Sequence, residues 1–170
     1  LPLLDQASQA IQEKMLQAQV SQEIRANLQA IEKALDSYFR DTSDAQMIEP
    51  LPGLIKQIQG ALLMLDQTSA LEVMQFVEGS VKQLQKERML PNSQTLEFLA
   101  ESLNSVGFYV DDVEVGKLDA DKHLTAILPR IRGEQTQRKS FAEQEVSVEH
   151  EITQQKQKAQ SLVSNLHINT

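Results

Sequence analysis

Three histidines, a run of carboxylates and no cysteine are the material from which this chain could do chemistry. His123, His150 and His167 each stand alone. None has a second His, or a His-Glu pair with a second His, at the spacing that puts two imidazoles on one metal ion. Ordinary surface or boundary histidines are the expected outcome. Between positions 97 and 121, Glu97, Glu101, Asp111, Asp112, Glu114, Asp119 and Asp121 stand against a single base, Lys117. Asp119-Ala-Asp121-Lys-His123 departs from a calcium-binding loop at its third acidic position and at the following Gly. The run therefore reads as a solvated acidic loop or a patch for a basic partner. Asp111-Asp112 could serve a receiver-type site only in an α/β sheet, which this chain cannot build. There is no Gly-rich phosphate loop, no Gly-x-Ser-x-Gly and no nucleophile with a base at useful spacing. The expectation is no catalytic residue, no metal site, no cofactor and no enzymatic activity for this segment.

The elements that would position any site are helical. Apolar residues make up 41% of the 170, yet aromatics only 4%, with no Trp, so a core must come from Leu, Ile, Val, Met and Ala. Gln, Glu and Lys, also good helix formers, are prominent in the remainder. The length suffices for one domain with a full core plus an appendage. A net charge of −8 disfavours nucleic acid and anionic membrane, both of which require a basic face. The longest apolar run, Ala61 to Leu65, is far too short to span a bilayer, and the first residues lack the pattern of a signal peptide. A chain that opens on Leu1 and stops at Thr170 is expected to be a piece of a longer, cytoplasmic protein.

Apolar residues at 4, 7, 11, 15 and 18 predict a first helix with one buried face. Ser21 is a candidate N-cap for a second, whose line Ile24, Leu28, Ile31, Leu35 and Tyr38 steps 4-3-4-3 as in a bundle seam and which stops at Asp41-Thr42-Ser43-Asp44. Pro50 and Pro52 suit the approach and first turn of a helix burying Leu51, Leu54, Ile55, Ile58, Ala61, Leu62 and Leu65. Ser69-Ala-Leu-Glu72 reads as a capping box for a helix burying Leu71, Met74, Val77, Val81 and Leu84. After Pro91-Asn92-Ser93 comes one carrying Leu96, Leu99, Leu103 and Val106, with Gly107 placed to end it. Gly107 to Gly116 is expected to be an extended or helix-end segment whose Phe108 and Tyr109 plug the bundle. Asp119 or Asp121 would cap a short helix containing Leu124, Ile127, Leu128 and Ile131, interrupted by Pro129 and closed near Gly133. Beyond it, positions 141, 148, 152, 159, 162 and 166 form a weak heptad broken by Glu145 and Gln155, a helical linker or partner-docking helix. The expected fold is all-α: an up-and-down antiparallel bundle over 21–133, an extra N-terminal helix over 1–20 and a long C-terminal helix over 134–170.

Gly53-Leu-Ile-Lys-Gln-Ile-Gln-Gly60-Ala-Leu-Leu-Met-Leu65 resembles the centre of a histidine phosphotransfer (HPt) domain, whose motif is His-x-x-Lys-Gly. Here Gly60 matches, while Lys56 holds the His position and Gln59 the Lys position. An ammonium at pH 7 has no free lone pair to take a phosphoryl group, and an amide replaces the positive charge that would hold it. Leu35-Asp-Ser-Tyr-Phe-Arg-Asp41, Leu54 to Leu65, Leu99-Ala-Glu-Ser-Leu-Asn-Ser-Val-Gly-Phe-Tyr109 and Ile127-Leu-Pro-Arg-Ile-Arg-Gly133 together resemble the N-terminal region of the ChpA/PilL family. These are the chemotaxis-like hybrid histidine kinases of type IV pilus systems, to which the scaffold FimL is related.

That resemblance implies a pseudo-HPt module acting in docking or spacing rather than phosphate relay. Lys56, Gln59 and Gly60 would form a vestigial docking face, and a response-regulator receiver or another module of the same signalling protein would be the partner. His123 and His150 are poor substitutes for the missing acceptor, since neither has a small residue four positions on to admit a receiver. The alternative is a structural adaptor that dimerises through its C-terminal helix.

Overall fold

A computed structural model describes residues 2–88 and 92–168, with the side chains of all but residues 141 and 166–168. Its elements are α1 (Pro2–Arg40), a 3-10 turn (Ala45–Ile48), α2 (Leu51–Met64), α3 (Thr68–Glu87), α4 (Ser93–Glu114), α5 (Lys122–Thr125) and α6 (Leu128–Ile168). The chain divides into two compact units, Leu1–Ile131 and Arg132–Thr170.

In the first unit α1 packs on α2 and α4, α2 on α3 and α3 on α4, with α5 against α4. Consecutive neighbours joined by short connections run antiparallel, so this is an all-α up-and-down bundle. Each wall is laid by the predicted spacing. Ile24, Leu28, Ile31, Leu35 and Tyr38 of α1 are all buried, as are Leu51, Ile55, Ile58 and Leu62 of α2. The turn after α1 is set by Asp41, whose carboxylate accepts from the Ser43 N–H at 3.1 Å, an Asx-type stop. Pro52 sits in the first turn of α2, where its missing N–H is not needed. Asn92 caps α4 by accepting from the Thr95 N–H at 2.8 Å.

Several expected breaks are absent. Ser21 caps nothing: it lies mid-way along α1, so the boundary drawn at 20/21 is not a helix boundary. Gly107 does not end α4, which runs on to Glu114, so the segment after it is the end of a helix and not extended. The true stop is Gly116, at φ 77°, with its N–H on Val113 O at 3.1 Å and the Lys117 N–H on Asp112 O at 2.9 Å. That pair of bonds is a Schellman motif. Of the two intended plugs, Tyr109 is buried, but Phe108 is 58% exposed. The expected cap at Ser69 is not used either, because α3 opens two residues earlier with Gln67 at its N-cap and no side-chain cap bond. Pro129 lies in the first turn of α6 rather than interrupting a helix, and Gly133 is passed without a break. A single Gly or Ser inside a helix costs about 1 kcal/mol or less, which flanking turns absorb. Pro91, expected to separate α3 from α4, lies outside the described residues.

The N-terminal apolar line is the largest correction. Leu4, Ala7, Ile11 and Met15 are exposed, and burial on α1 begins at Val20. The second unit carries the rest of α6 from Arg132. Val148, Ile152 and Leu162 of its weak heptad are exposed, and none of its described side chains is buried.

Candidate functional site

The centre of α2 is where the motif residues fall, and the helix sorts them onto two different surfaces. Lys56 is exposed and its Nζ lies 3.1 Å from Glu78 Oε2 on α3, an ion pair whose approach is off the hydrogen-bond direction. Lys82, one turn along α3, reaches the other Glu78 oxygen at 3.6 Å. Burial pushes the Glu78 carboxyl up, but Lys56 and Lys82 outweigh it and hold it below the usual carboxylate range. Gln57 is on the other flank, accepting from the Asn27 amide of α1 at 3.1 Å. Gly60 is exposed, and a Cβ built on it would meet nothing within 4 Å. No packing inside this chain therefore requires a glycine there.

Gln59 departs from the expected docking face. It is buried, and its Nε2 lies 3.5 Å from Met74 O on α3, so it belongs to the α2–α3 seam and is not available to a partner. A polar side chain at that register can be accommodated because the amide finds a carbonyl. In its place the exposed strip continues into Leu63 and Met64, 61% and 68% exposed, one turn beyond Gly60. Both stand off the buried line of α2, and that offset in Leu62-Leu63-Met64-Leu65 was the readable sign that they face solvent.

Five of the seven carboxylates of the acid-rich span form separate ion pairs, and Glu97 and Asp121 have none among the described residues. Arg25 of α1 donates to Asp111 at 2.7 Å and to Glu114 at 2.6 Å. Asp112 takes His123 Nε2 at 2.7 Å and lies 3.6 Å from Lys117 Nζ. The hydrogen bond from His123, helped by Lys117 and Lys122, outweighs the opposing desolvation and holds the Asp112 carboxyl below its ordinary range. Asp119 is paired with Lys122 at 3.2 Å. Glu101 accepts from Arg130 at 2.6 Å, and that guanidinium also stacks over the Phe98 ring at 4.5 Å, holding the start of α6 to α4. Among the described residues no group of acidic and histidine side chains could hold a metal ion.

His123 is thus a bundle residue: one ring nitrogen is engaged by Asp112, and the ring lies 5.6 Å from that of Phe108. His150 is exposed on α6, with Nε2 3.1 Å from Gln154 Nε2. The His167 side chain lies outside the described residues. Among the described residues no helix is long and apolar enough to cross a membrane.

Fold and surface together define a helical-bundle module whose exposed α2 strip carries Lys56, Gly60, Leu63 and Met64. The profile of the FimL C-terminal domain matches residues 4–127, and the chain belongs to that family. The match is to a C-terminal domain, whereas the motif resemblance had pointed to an N-terminal region. It also covers most of the bundle and much of the exposed part of α1. No curated protein and no solved structure matches the chain.

Proposed function

We propose that this chain is a non-catalytic docking or spacing module in the cytoplasmic signalling that controls type IV pili and twitching motility, a pseudo-HPt bundle without its acceptor histidine. Membership of the FimL C-terminal domain family supports the link to pilus-related signalling and a scaffold role. The observation that carries the docking reading is the exposed strip of α2. Lys56 stands where the acceptor would be, held by Glu78, and Gly60 one turn on leaves open space for an incoming surface. A glycine kept in a helix interior with no internal packing reason is a cost of roughly 0.5–1 kcal/mol relative to Ala, which a close approach by a partner would explain.

The partner under this proposal is a receiver domain or another module of the same signalling system, and the contacts are Lys56, Gly60, Leu63 and Met64. Gly60→Arg tests it, because the open space lets the protein fold while the new side chain obstructs the approach. Loss of receiver binding by the folded variant is expected, and a receiver that bound equally well would sink the docking claim. The second reading, an adaptor that dimerises through α6, draws on the exposure of Val148, Ile152 and Leu162. Light scattering separates the two, since the docking module is monomeric when isolated and the adaptor gains mass with concentration.

A further inference from the structure

A second surface lies on another side of the bundle, between α1 and α4. Two adjoining hollows there, of about 400 Å3 and about 160 Å3, share Glu32, Leu103 and Asn104 in their walls and so form one continuous groove. It follows α1 from Arg25 to Phe39, roughly 21 Å at 1.5 Å per residue, the length of a helix of about four turns. Its floor is the apolar seam of the two helices, where Leu35, Leu99 and Leu103 are almost fully buried and Phe39, Leu96 and Ala100 present the accessible apolar surface. An aromatic ring stands toward each end, half-buried Phe39 at one and the exposed Phe108 at the other.

The rim is acidic. Glu32 and Glu97 line the groove, and neither has an ion-pair partner among the described residues. Glu32 is half-buried, and desolvation pushes its carboxyl above the usual range. The one basic side chain lining the groove, Arg25, is already held between Asp111 and Glu114. An apolar floor with an acidic rim and no free cation fits an amphipathic helix that carries Lys or Arg beside its apolar face. An acidic helix or an anionic membrane would meet like charge.

We infer that the groove between α1 and α4 is a docking site for a basic amphipathic helix of a partner protein. The groove is separate from the α2 strip, so the site stands whether or not a receiver docks at Gly60. The incoming helix lays its apolar side chains against Phe39, Leu96 and Ala100, as a third ridge set between two helices. Its cations pair with Glu32 and Glu97, compensating a carboxylate that burial now disfavours.

The test uses the full chain and two labelled fourteen-residue helical peptides with the same Leu/Ala face, one flanked by Lys and the other by Glu, followed by fluorescence anisotropy. The Lys peptide is expected to bind at least about tenfold tighter than the Glu peptide, and more weakly at high salt. Glu32→Gln with Glu97→Gln weakens it at least about fivefold, whereas Glu49→Gln with Glu87→Gln, away from the groove, does not. Ala100→Arg, at an exposed position on the groove, also weakens it while circular dichroism stays unchanged. Equal binding of the two peptides, or full binding by the Glu32/Glu97 variant, overturns the site. So does a concentration-dependent dimer abolished by Ala100→Arg, which would make a second copy the occupant.

Discussion

The two halves of α1 carry the same kind of pattern and meet different fates. Leu4, Ala7, Ile11, Met15 and Ala18 step by threes and fours, as do Ile24, Leu28, Ile31, Leu35 and Tyr38. The second set is buried to the last residue and forms a wall of the bundle. The first set lies along the same unbroken helix with Leu4, Ile11 and Met15 at 60% exposure or more. Periodicity announces that a face exists and says nothing about what covers it. Within α1 the difference is whether α2 and α4 are there to pack on it.

That contrast can be broken most forcefully by truncating one residue from each half. Ile31→Ala should cost about 3 kcal/mol, the usual loss for a buried aliphatic residue cut to Ala. Ile11→Ala should stay within about 0.5 kcal/mol. Urea midpoints compare them, and similar losses at both sites would mean that the N-terminal half is packed in the isolated chain.

The buried half also contains two groups that packing has left unsatisfied. The Tyr38 hydroxyl and Ser21 Oγ are buried with no hydrogen-bond partner among the described residues. Removing them should therefore stabilise: Tyr38→Phe and Ser21→Ala are each expected to gain about 1 kcal/mol in the same titration. A loss from Tyr38→Phe would show that its hydroxyl has a partner in solution. On the exposed strip of α2, Gly60→Ala should gain roughly 0.5–1 kcal/mol through helix propensity alone, sharpening the view that Gly60 serves an outside contact.

The charged residues give a smaller, pH-dependent version of the same contrast. Glu78 and Asp112 have folded-state pKa values below their unfolded ones, so their contribution is present above the ordinary carboxylate range and is lost as pH falls through the depressed values. Glu32 is raised by burial, so its penalty is present at neutral pH and relieved as pH falls through its raised value. Thermal melts from pH 7 to 3 should show Glu78→Gln flattening the acid limb and Glu32→Gln raising stability at pH 7 while steepening that limb. The reverse pattern would put the pairing of Glu78 in doubt. Least of all, removing residues 132–170 should shift the bundle's melting temperature by no more than about 1 °C, because none of their described side chains is buried. A large fall would mean that α6 is packed in solution.

What could be read in the residues follows the same division. The seams of α1 and α2 were legible because Leu and Ile at strict spacing have one economical arrangement, a shared core. Helix ends were less legible. Ser21 is the type that starts a helix and Gly107 and Gly133 the type that stops one, yet one weak residue does not outweigh the packing of the turns around it. Gly116 does stop α4, because Gly116 and Lys117 satisfy two terminal carbonyls at once. Of the three motif residues, Lys56 and Gly60 are exposed, whereas Gln59 is buried because its register against α3 decides burial. The α1–α4 groove was not legible at all, since residues about seventy positions apart in sequence form its walls.

The central claim is that this bundle docks without accepting phosphate. The most direct measurement mixes the full chain with autophosphorylated kinase cores and phosphorylated receivers of its own signalling system and follows acid-labile label and complex formation together. Binding without label, with the binding lost in Gly60→Arg, is the predicted result. Label on the chain that disappears when His123 or His150 is replaced would contradict it and place the acceptor outside the α2 strip.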